Sequence, residues 1–287
     1  MRVAVGDVRL SFEVYGEQRV LTEEGLRSRP VVIGLHGGPG SDGTRLRYQL
    51  ASLADVAQII VPDQRGHGLS DRATAETWNL SAWARDVRGL SDALGIDHPV
   101  VLGASFGGFV AQQYAATYPG HPAALILVST GPRFASFDEY IARFREVGGE
   151  EAAEVARRDW EEPSEESSAE WSRVCGPLLS LSADRDSRSA RANAAQIATP
   201  EVNLHFMANE GMKMDLRSVL PRVRCPTLVI VGERDPLVPV HLGQEIAEAI
   251  PNNLARLEVI PDAAHDVATD NAADTYRCVR EFITALE

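Results

Sequence analysis

The sequence is poor in lysine and has no long apolar runs. Lys213 is its only lysine, and acids outnumber bases enough to give a formal net charge of −13. Nucleic-acid binding requires clustered lysine and arginine, so this balance argues against it, and equally against anionic membrane surfaces. No segment approaches the roughly 20 consecutive apolar residues of a membrane span. We therefore expect no nucleic-acid or membrane partner, and the partner that we expect is a small-molecule or short-peptide substrate.

Cysteine is also scarce. The three cysteines, Cys175, Cys225 and Cys278, are scattered, and no two stand at a metal-ligand or redox-motif spacing. An odd number without a disulfide framework is typical of a reducing compartment. Residues 1–7 lack the apolar stretch of a secretory signal peptide. We therefore expect a cytoplasmic protein without metal or cofactor, either a monomer or a small homo-oligomer.

Short apolar runs separated by helix-like sequence dominate the chain. Their hydrophobicity is continuous, as is typical of parallel strands that are covered on both faces. Alternation of such strands with helices predicts βαβ units and an α/β fold. Residues 2–15 instead alternate apolar and polar side chains and predict a hairpin. The apolar runs are Val31–Leu35, Ile59–Val61, Val100–Leu102, Leu125–Val128, Thr227–Val231 and Ala255–Ile260.

This strand pattern stops between about residues 131 and 219. Helical segments such as Phe137–Phe144 and Glu150–Trp160 occur there, and no strand-like run does. The 287 residues suit a core domain that carries an inserted subdomain. The predicted division is a core formed by residues 1–130 and 220–287, and a helical cap formed by residues 131–219.

A nucleophile motif follows the third predicted parallel strand. Residues Gly103–Gly107 match G-x-S-x-G, in which the serine occupies a sharp turn between a strand and a helix. Its neighbours in that turn must lack bulky side chains, which explains the glycines. The motif directly follows Val100–Leu102 and opens a helical pattern, as its mechanism requires. Ser105 is therefore the predicted nucleophile.

An acid and a histidine occur later in the chain, in the order that this motif demands. Asp235 and His265 each lie just beyond a predicted strand, at the sheet edge where open α/β folds build their sites. Glu233 competes for the role of the acid, but it is closer to its strand. Asp262 and Asp266 are weaker alternatives. We predict that His265 is the general base and that Asp235 orients it.

A glycine-rich loop supplies the third element of the predicted site. Residues His36–Gly40 read H-G-G-P-G and directly follow Val31–Leu35. Glycines here let backbone N–H groups approach a developing oxyanion, a role that we assign to the amides of Gly38 and Phe106. A phosphate loop is excluded, because neither G-K-[ST] nor G-x-G-x-x-G is present.

These motifs resemble the α/β-hydrolase superfamily over essentially the whole chain. Within it, residues His36–Gly40, Asp63–Gly66 and Gly103–Gly107 are similar to the proline iminopeptidase family, peptidase family S33. The resemblance implies a mostly parallel eight-stranded sheet flanked by helices, with a helical cap insertion. It also implies a serine enzyme without a cofactor that removes an N-terminal residue, often proline, from peptides or amides.

The resemblance further suggests how a substrate amine could be bound. Cap glutamates in that family bind the free amino group, and Glu210 resembles such a position. The sequence departs from some family members directly after the triad aspartate, where it has Pro236 instead of a second acid. Trp160, Trp171 and Phe206 are candidates for the apolar lining of the pocket.

The sequence is compatible with three functional classes. The first is an aminopeptidase-like amidase that cleaves an N-terminal aminoacyl amide through an acyl-enzyme. The second is a carboxylesterase or lactonase that uses the same triad. The third is a ligand receptor on a silenced hydrolase fold, which the complete triad and oxyanion loop disfavour. Ser105 excludes dehalogenases and epoxide hydrolases, because their nucleophile is an aspartate.

Overall fold

An eight-stranded sheet forms the centre of the protein in the computed structural model, which describes residues 1–23, 25–182, 191 and 194–286. A separate two-stranded hairpin, β3 and β4, follows the second strand of the main sheet. The strands are β1 (Arg2–Val5), β2 (Val8–Tyr15), β3 (Arg19–Thr22), β4 (Gly25–Ser28), β5 (Val31–Leu35), β6 (Gln58–Pro62), β7 (Val100–Ala104), β8 (Ala124–Val128), β9 (Thr227–Gly232) and β10 (Ala255–Ile260).

The order across the main sheet is β1-β2-β6-β5-β7-β8-β9-β10. Strand β2 pairs antiparallel with both β1 and β6, and every other neighbouring pair is parallel. The mostly parallel eight-stranded sheet predicted from the sequence is confirmed. All the parallel strands consequently direct their carboxyl ends to one edge, where the loops after them can build a common site.

Helices connect the strands and cover the sheet. The α-helices are α1 (Thr44–Leu50), α2 (Leu80–Leu94), α3 (Phe106–Thr117), α4 (Phe137–Glu161), α5 (Glu165–Val174), α6 (Pro200–Asn209), α7 (Val240–Ala249), α8 (Val267–Asp270) and α9 (Ala272–Thr284). Short 3₁₀ turns lie at Ala51–Leu53, Ala75–Thr77, Gly176–Leu179, Gly211–Lys213 and Leu220–Arg222. Within the described ranges, no helix is both long and apolar enough to cross a membrane.

The sheet separates two apolar cores. Alternate side chains of each central strand enter opposite cores, as the period of two requires. In β5, for example, Ile33 and Leu35 pack in one core and Val32 packs in the other. Helices α2, α3 and α7 cover the first face, and α1 and α9 cover the second. Burial on both faces explains why these strands read as continuous apolar runs.

Residues 131–219, hereafter the insertion, leave the sheet after β8 and return before β9. No described residue of the insertion belongs to a strand, and Arg133 and Asp215 form an isolated antiparallel bridge at its base. The two helices predicted within residues 137–160 form one run, α4, with a break at Gly149 (φ 74°, ψ −168°) that its glycine permits. Residues 183–190, 192 and 193 of the predicted cap lie outside the described residues.

Candidate active site

The structure brings Ser105, His265 and Asp235 together at the carboxyl edge of the sheet. Ser105 lies between β7 and α3, and the other two side chains follow the ends of β9 and β10. His265 Nε2 lies 3.0 Å from Ser105 Oγ, and His265 Nδ1 lies 2.8 Å from Asp235 Oδ2. The three side chains thus form one continuous hydrogen-bonded chain.

The backbone at Ser105 is held in a conformation that few residues adopt. Its φ of 51° and ψ of −119° raise the side chain above the turn, and its N–H donates to the Val128 carbonyl at 2.9 Å. The flanking glycines leave no room for side chains. A Cβ at Gly103 would lie 2.4 Å from the Gly107 carbonyl oxygen, and one at Gly107 would lie 2.1 Å from that of Leu35. The turn therefore requires both glycines.

Asp235 is completely buried, yet each of its oxygens has a donor. Oδ2 faces His265, while Oδ1 accepts from the N–H groups of Leu237 at 2.8 Å and Val238 at 3.0 Å. A buried carboxylate must be hydrogen-bonded to remain charged, and these donors meet that requirement. The competing Glu233 is exposed and accepts from the Asp262 N–H at 3.4 Å. Of the two acids, only Asp235 contacts the histidine in the described contacts.

The environment of His265 suits a general base. Burial, the strongest influence, acts to lower its pKa, but the charge and hydrogen bond of Asp235, together with the charge of Asp266, raise the pKa above its ordinary value. Since Nδ1–H of the neutral ring donates a hydrogen bond to Asp235, Nε2 is unprotonated and can take the proton of Ser105 Oγ. The geometry therefore allows proton transfer from the serine to the histidine.

The glycine-rich loop passes directly over Ser105. A Cβ at Gly37 would lie only 3.3 Å from the Ser105 Cβ, so the Gly37–Gly38 peptide adjoins the nucleophile. Phe106 follows Ser105 and opens α3. In the part of the chain that the structure describes, neither the Gly38 N–H nor the Phe106 N–H has an acceptor. Two donors beside the nucleophile are what an oxyanion hole needs.

Two further histidines, His36 and His67, hold this loop. His67 Nε2 accepts from the Gly40 N–H at 2.9 Å, and its Nδ1 donates to the Arg65 carbonyl at 2.9 Å. His36 Nε2 accepts from the Gln64 N–H at 3.0 Å. Burial lowers the pKa of His67 to about 3 and also lowers that of His36. Both rings must stay neutral to accept these bonds.

Glu210 lies apart from the triad in every described contact. Its Oε2 accepts from the N–H of Leu80, the first residue of α2, at 3.0 Å. A carboxylate at a helix N-terminus satisfies an unpaired N–H and the helix dipole. The structure thus gives Glu210 a helix-capping contact, and its binding of a substrate amine stays a prediction.

The insertion contacts the nucleophile's helix through an aromatic side chain. Phe206 of α6 is fully buried, with its ring centroid 5.3 Å from that of Phe106 and 5.6 Å from that of Trp83. It therefore packs against the residue that directly follows Ser105. The other two aromatic residues predicted to line the pocket, Trp160 and Trp171, contact aromatic residues of the insertion itself, namely Phe137, Tyr140 and Phe144.

Among the described residues, no group of three or more histidine, cysteine, aspartate or glutamate side chains is arranged to hold a metal ion. The chemistry that the arrangement supports is nucleophilic attack by an activated serine. The serine, histidine and aspartate appear in the same chain order as in enzymes that carry this turn at the end of a strand.

Comparison with known proteins places the chain in a family. The model of the α/β hydrolase fold family matches residues 30–272, and the chain therefore belongs to that family. At the level of class, the protein is a hydrolase.

The individual relatives described here are less than 30% identical to this chain, and their names give different activities. The chain is 27% identical over 263 residues to the proline iminopeptidase PfmaB of Pestalotiopsis fici, covering 89% of this chain and 92% of that one. It is 28% identical over 240 residues to the putative carbamate hydrolase RutD of Escherichia coli, covering 82% and 84%. A solved esterase from Thermogutta terrifontis superposes with a TM-score of 0.73 at 28% identity, covering 100% of this chain and 99% of that one.

Proposed function

We propose that the protein is a serine hydrolase in which Ser105 is the nucleophile, His265 the general base and Asp235 the residue that orients the base. The observation that carries this proposal is the unbroken hydrogen-bonded chain from Ser105 Oγ through the imidazole to Asp235. Family membership and the names of the relatives support hydrolysis as the reaction class.

The proposed reaction has two halves. In the first, His265 Nε2 takes the proton of Ser105 Oγ as the oxygen attacks the substrate carbonyl carbon, and the N–H groups of Gly38 and Phe106 stabilise the resulting oxyanion. His265 then gives its proton to the leaving group, and an acyl-enzyme remains. In the second half, water attacks the acyl group, His265 takes the proton of the water, and Ser105 recovers it when the acid product leaves.

We propose an N-terminal aminoacyl amide, of proline or another small residue, as the substrate. Its support is the similarity to a proline iminopeptidase and the three motifs of residues 36–40, 63–66 and 103–107. In this proposal Glu210 binds the protonated amine of the substrate. The Leu80 N–H occupies Oε2, so Oε1 is the oxygen assigned to the amine.

The second candidate is a carboxylesterase or lactonase with the same triad. The 28% identity to an esterase over the full chain favours it, as does the structural partner of Glu210. The two candidates share every step at Ser105 and differ in whether a free amine is needed. Purified protein should therefore be compared on free aminoacyl anilides, their N-acylated forms and simple nitrophenyl esters.

We also propose that the insertion acts as a cap over the catalytic edge. Two contacts support this role. The Thr199 N–H donates to the Gly40 carbonyl at 2.9 Å, and Phe206 packs against Phe106. Both contacts join the insertion to elements that flank Ser105, which is where a cap could select among substrates.

A covalent probe tests the serine assignment directly. A fluorophosphonate should label the native protein at Ser105, and Ser105→Ala should abolish labelling and lower kcat by roughly 10³-fold or more. Ser41→Ala is the matched control, because it removes a hydroxyl from the neighbouring loop and should still be labelled. Labelling of Ser41, or an active Ser105→Ala protein, would refute the assignment.

A further inference from the structure

The residues on both sides of His265 each donate their backbone N–H to an acceptor elsewhere in the structure. The Ala264 N–H donates to Asp270 Oδ2 at 2.8 Å, and the Asp266 N–H donates to the carbonyl of Leu179 at 2.9 Å. Leu179 belongs to the insertion, more than 80 residues away in the chain. The backbone that carries His265 is therefore anchored partly to the insertion.

The other oxygen of Asp270, Oδ1, joins the carboxylate to the insertion. Its Oδ1 accepts from the hydroxyl of Ser180 at 2.5 Å, from the N–H of Leu181 at 2.9 Å and from the N–H of Ser182 at 3.1 Å. One carboxylate thus accepts four hydrogen bonds, three from the insertion and one from the residue before His265. Hydrogen bonds to a charged acceptor are about twice as strong as neutral ones.

We infer that Asp270 is a positioning residue, which fixes His265 by tying its turn to residues 179–182 of the insertion. The inference rests on the proposed function of Ser105 and His265. The insertion, as the proposed cap, would then shape the substrate pocket and also hold the general base. Proton transfer needs His265 Nε2 within hydrogen-bond reach of Ser105 Oγ, and a displacement of about 1 Å can cost on the order of 10²-fold in rate.

The carbonyl of His265 shows why the turn needs this support. It accepts from the Ser129 hydroxyl at 2.7 Å, a bond to the core that leaves the two flanking N–H groups to be fixed by others. Asp270 and Leu179 supply those two acceptors. Loss of the carboxylate would leave the contacts of Ser129 and Leu179 intact and release the N–H of Ala264 on the other side of His265.

Asp270→Asn tests the inference with little change of shape. An amide presents one acceptor oxygen, so it cannot serve both the Ala264 N–H and the three donors of the insertion. The measurement is the rate constant of fluorophosphonate labelling, in which the Ser105 Oγ–P bond forms, the P–F bond breaks, and His265 takes the serine proton as fluoride leaves. We expect labelling of folded Asp270→Asn to be about tenfold slower or more, and the acid limb of its rate–pH profile to shift.

Asp274→Asn is the matched control. Asp274 lies four residues further on, in α9, and its side chain contacts Arg277 and Asn271 at the surface. The same change there should leave the labelling rate within about twofold of the native value. A purely structural Asp270 would lower the melting temperature of Asp270→Asn and leave the labelling rate of the folded fraction unchanged.

Ser180→Ala covers the case in which Asp270→Asn does not fold. It removes one donor from the insertion side, and we expect labelling to slow about two- to fivefold and to recover in Ser180→Thr, which restores the hydroxyl. If native protein is not labelled at all, the proposed function fails. If native protein is labelled and folded Asp270→Asn matches it, or Ser180→Ala does when the former is unfolded, the inference is overturned.

Discussion

The core and the insertion hold their functional residues in different ways. In the core, main-chain groups fix the reactive side chains. The Val128 carbonyl holds Ser105, and the N–H groups of Leu237 and Val238 hold Asp235. The insertion reaches the site through the packing of Phe206 against Phe106, through a few main-chain hydrogen bonds, such as that of the Thr199 N–H to the Gly40 carbonyl, and through the bonds to Asp270.

This difference bears on two properties of an enzyme, the reaction that it catalyses and the substrates that it accepts. Main-chain geometry is insensitive to most substitutions, so the core can preserve one reaction while the sequence around it changes. Side-chain contacts are easily altered, and the residues that make them suit the choice of substrate. We therefore propose that the core determines the reaction class and that the insertion selects the substrate, besides the support that we infer it gives to His265. The relatives to which the chain is similar carry different activities in their names.

The largest effect that we expect comes from a change in the core. Asp235→Asn keeps the shape of the side chain but removes the carboxylate that holds the Nδ1 proton of His265, and kcat should fall by on the order of 10⁴-fold. Steady-state kinetics with any accepted substrate will measure it. Glu233→Gln is the control and should be mild, because Glu233 is exposed and its described hydrogen bond is to the Asp262 N–H. Reversed effects would mean that the wrong acid has been chosen.

Much of the core could be predicted because its signals are local. Buried parallel strands read as apolar runs, and the turn at Ser105 requires glycines at fixed spacing. The sequence pattern does not predict the β3–β4 hairpin, because Leu21 and Leu26 pair across it and are exposed, so no buried face imposes a pattern. Polar contacts of the insertion could not be predicted either. The bond of Ser180 to Asp270 joins residues 90 apart, a separation that no local motif encodes.

The histidines of the core show the same limit of prediction from local sequence. Chain order and a position beyond a strand suffice to select His265. Nothing local shows that the Nε2 atoms of His36 and His67 accept backbone N–H groups, because the donor to each Nε2 atom comes from a neighbouring loop. The signal that could have found them is their place in the two turns that follow β5 and β6, beside Ser105.

A second prediction places the amine preference in the insertion. Glu210→Gln should lower kcat/KM about 10- to 150-fold for substrates with a free amine, since a charge-assisted hydrogen bond is worth roughly 1.5–3 kcal/mol. The glutamine oxygen can still accept from the Leu80 N–H, so helix α2 keeps its cap while the charge is lost. Kinetics on paired free-amine and ester substrates will measure the difference.

The control for that experiment is Glu201→Gln, which changes an exposed acid on α6. It should leave both substrates unaffected. Equal losses on both substrates in Glu210→Gln would indicate disturbed packing between the insertion and α2. No loss on either would favour the esterase, and the insertion would then select substrates by shape alone.

A third prediction concerns how the core loops respond to acid. The pKa of His67 is about 3 in the folded protein and about 6.5 when unfolded, so between these values the unfolded chain binds more protons. The free energy of unfolding should therefore fall as pH decreases through this window, by roughly 1 to 2 kcal/mol between pH 6.5 and pH 5 from His67 alone. The lowered pKa of His36 acts in the same direction.

Urea unfolding at several pH values will measure this loss. His67→Gln cannot take up the proton, so its stability should depend less steeply on pH, even if it is lower at neutral pH. His98→Gln, a change of an exposed histidine, should keep the native slope. Equal slopes in all three proteins would show that the loop over Ser105 does not depend on a neutral His67.

The smallest expected effect is on the pH dependence of kcat/KM, and this one measurement tests the core and the insertion separately. His265 must be neutral to accept the serine proton, and Asp235 outweighs burial to raise its pKa. The acid limb of kcat/KM should therefore lie above pH 6.5 and fall about tenfold per pH unit, whichever substrate is used. An α-amino group loses its proton near pH 8, so a site that binds the charged amine should add an alkaline limb there, for free-amine substrates alone. A shared acid limb with an alkaline limb confined to amines would assign the first to His265 in the core and the second to amine binding. Acid limbs that differ between the two substrates would instead mean that His265 does not set the reaction for both.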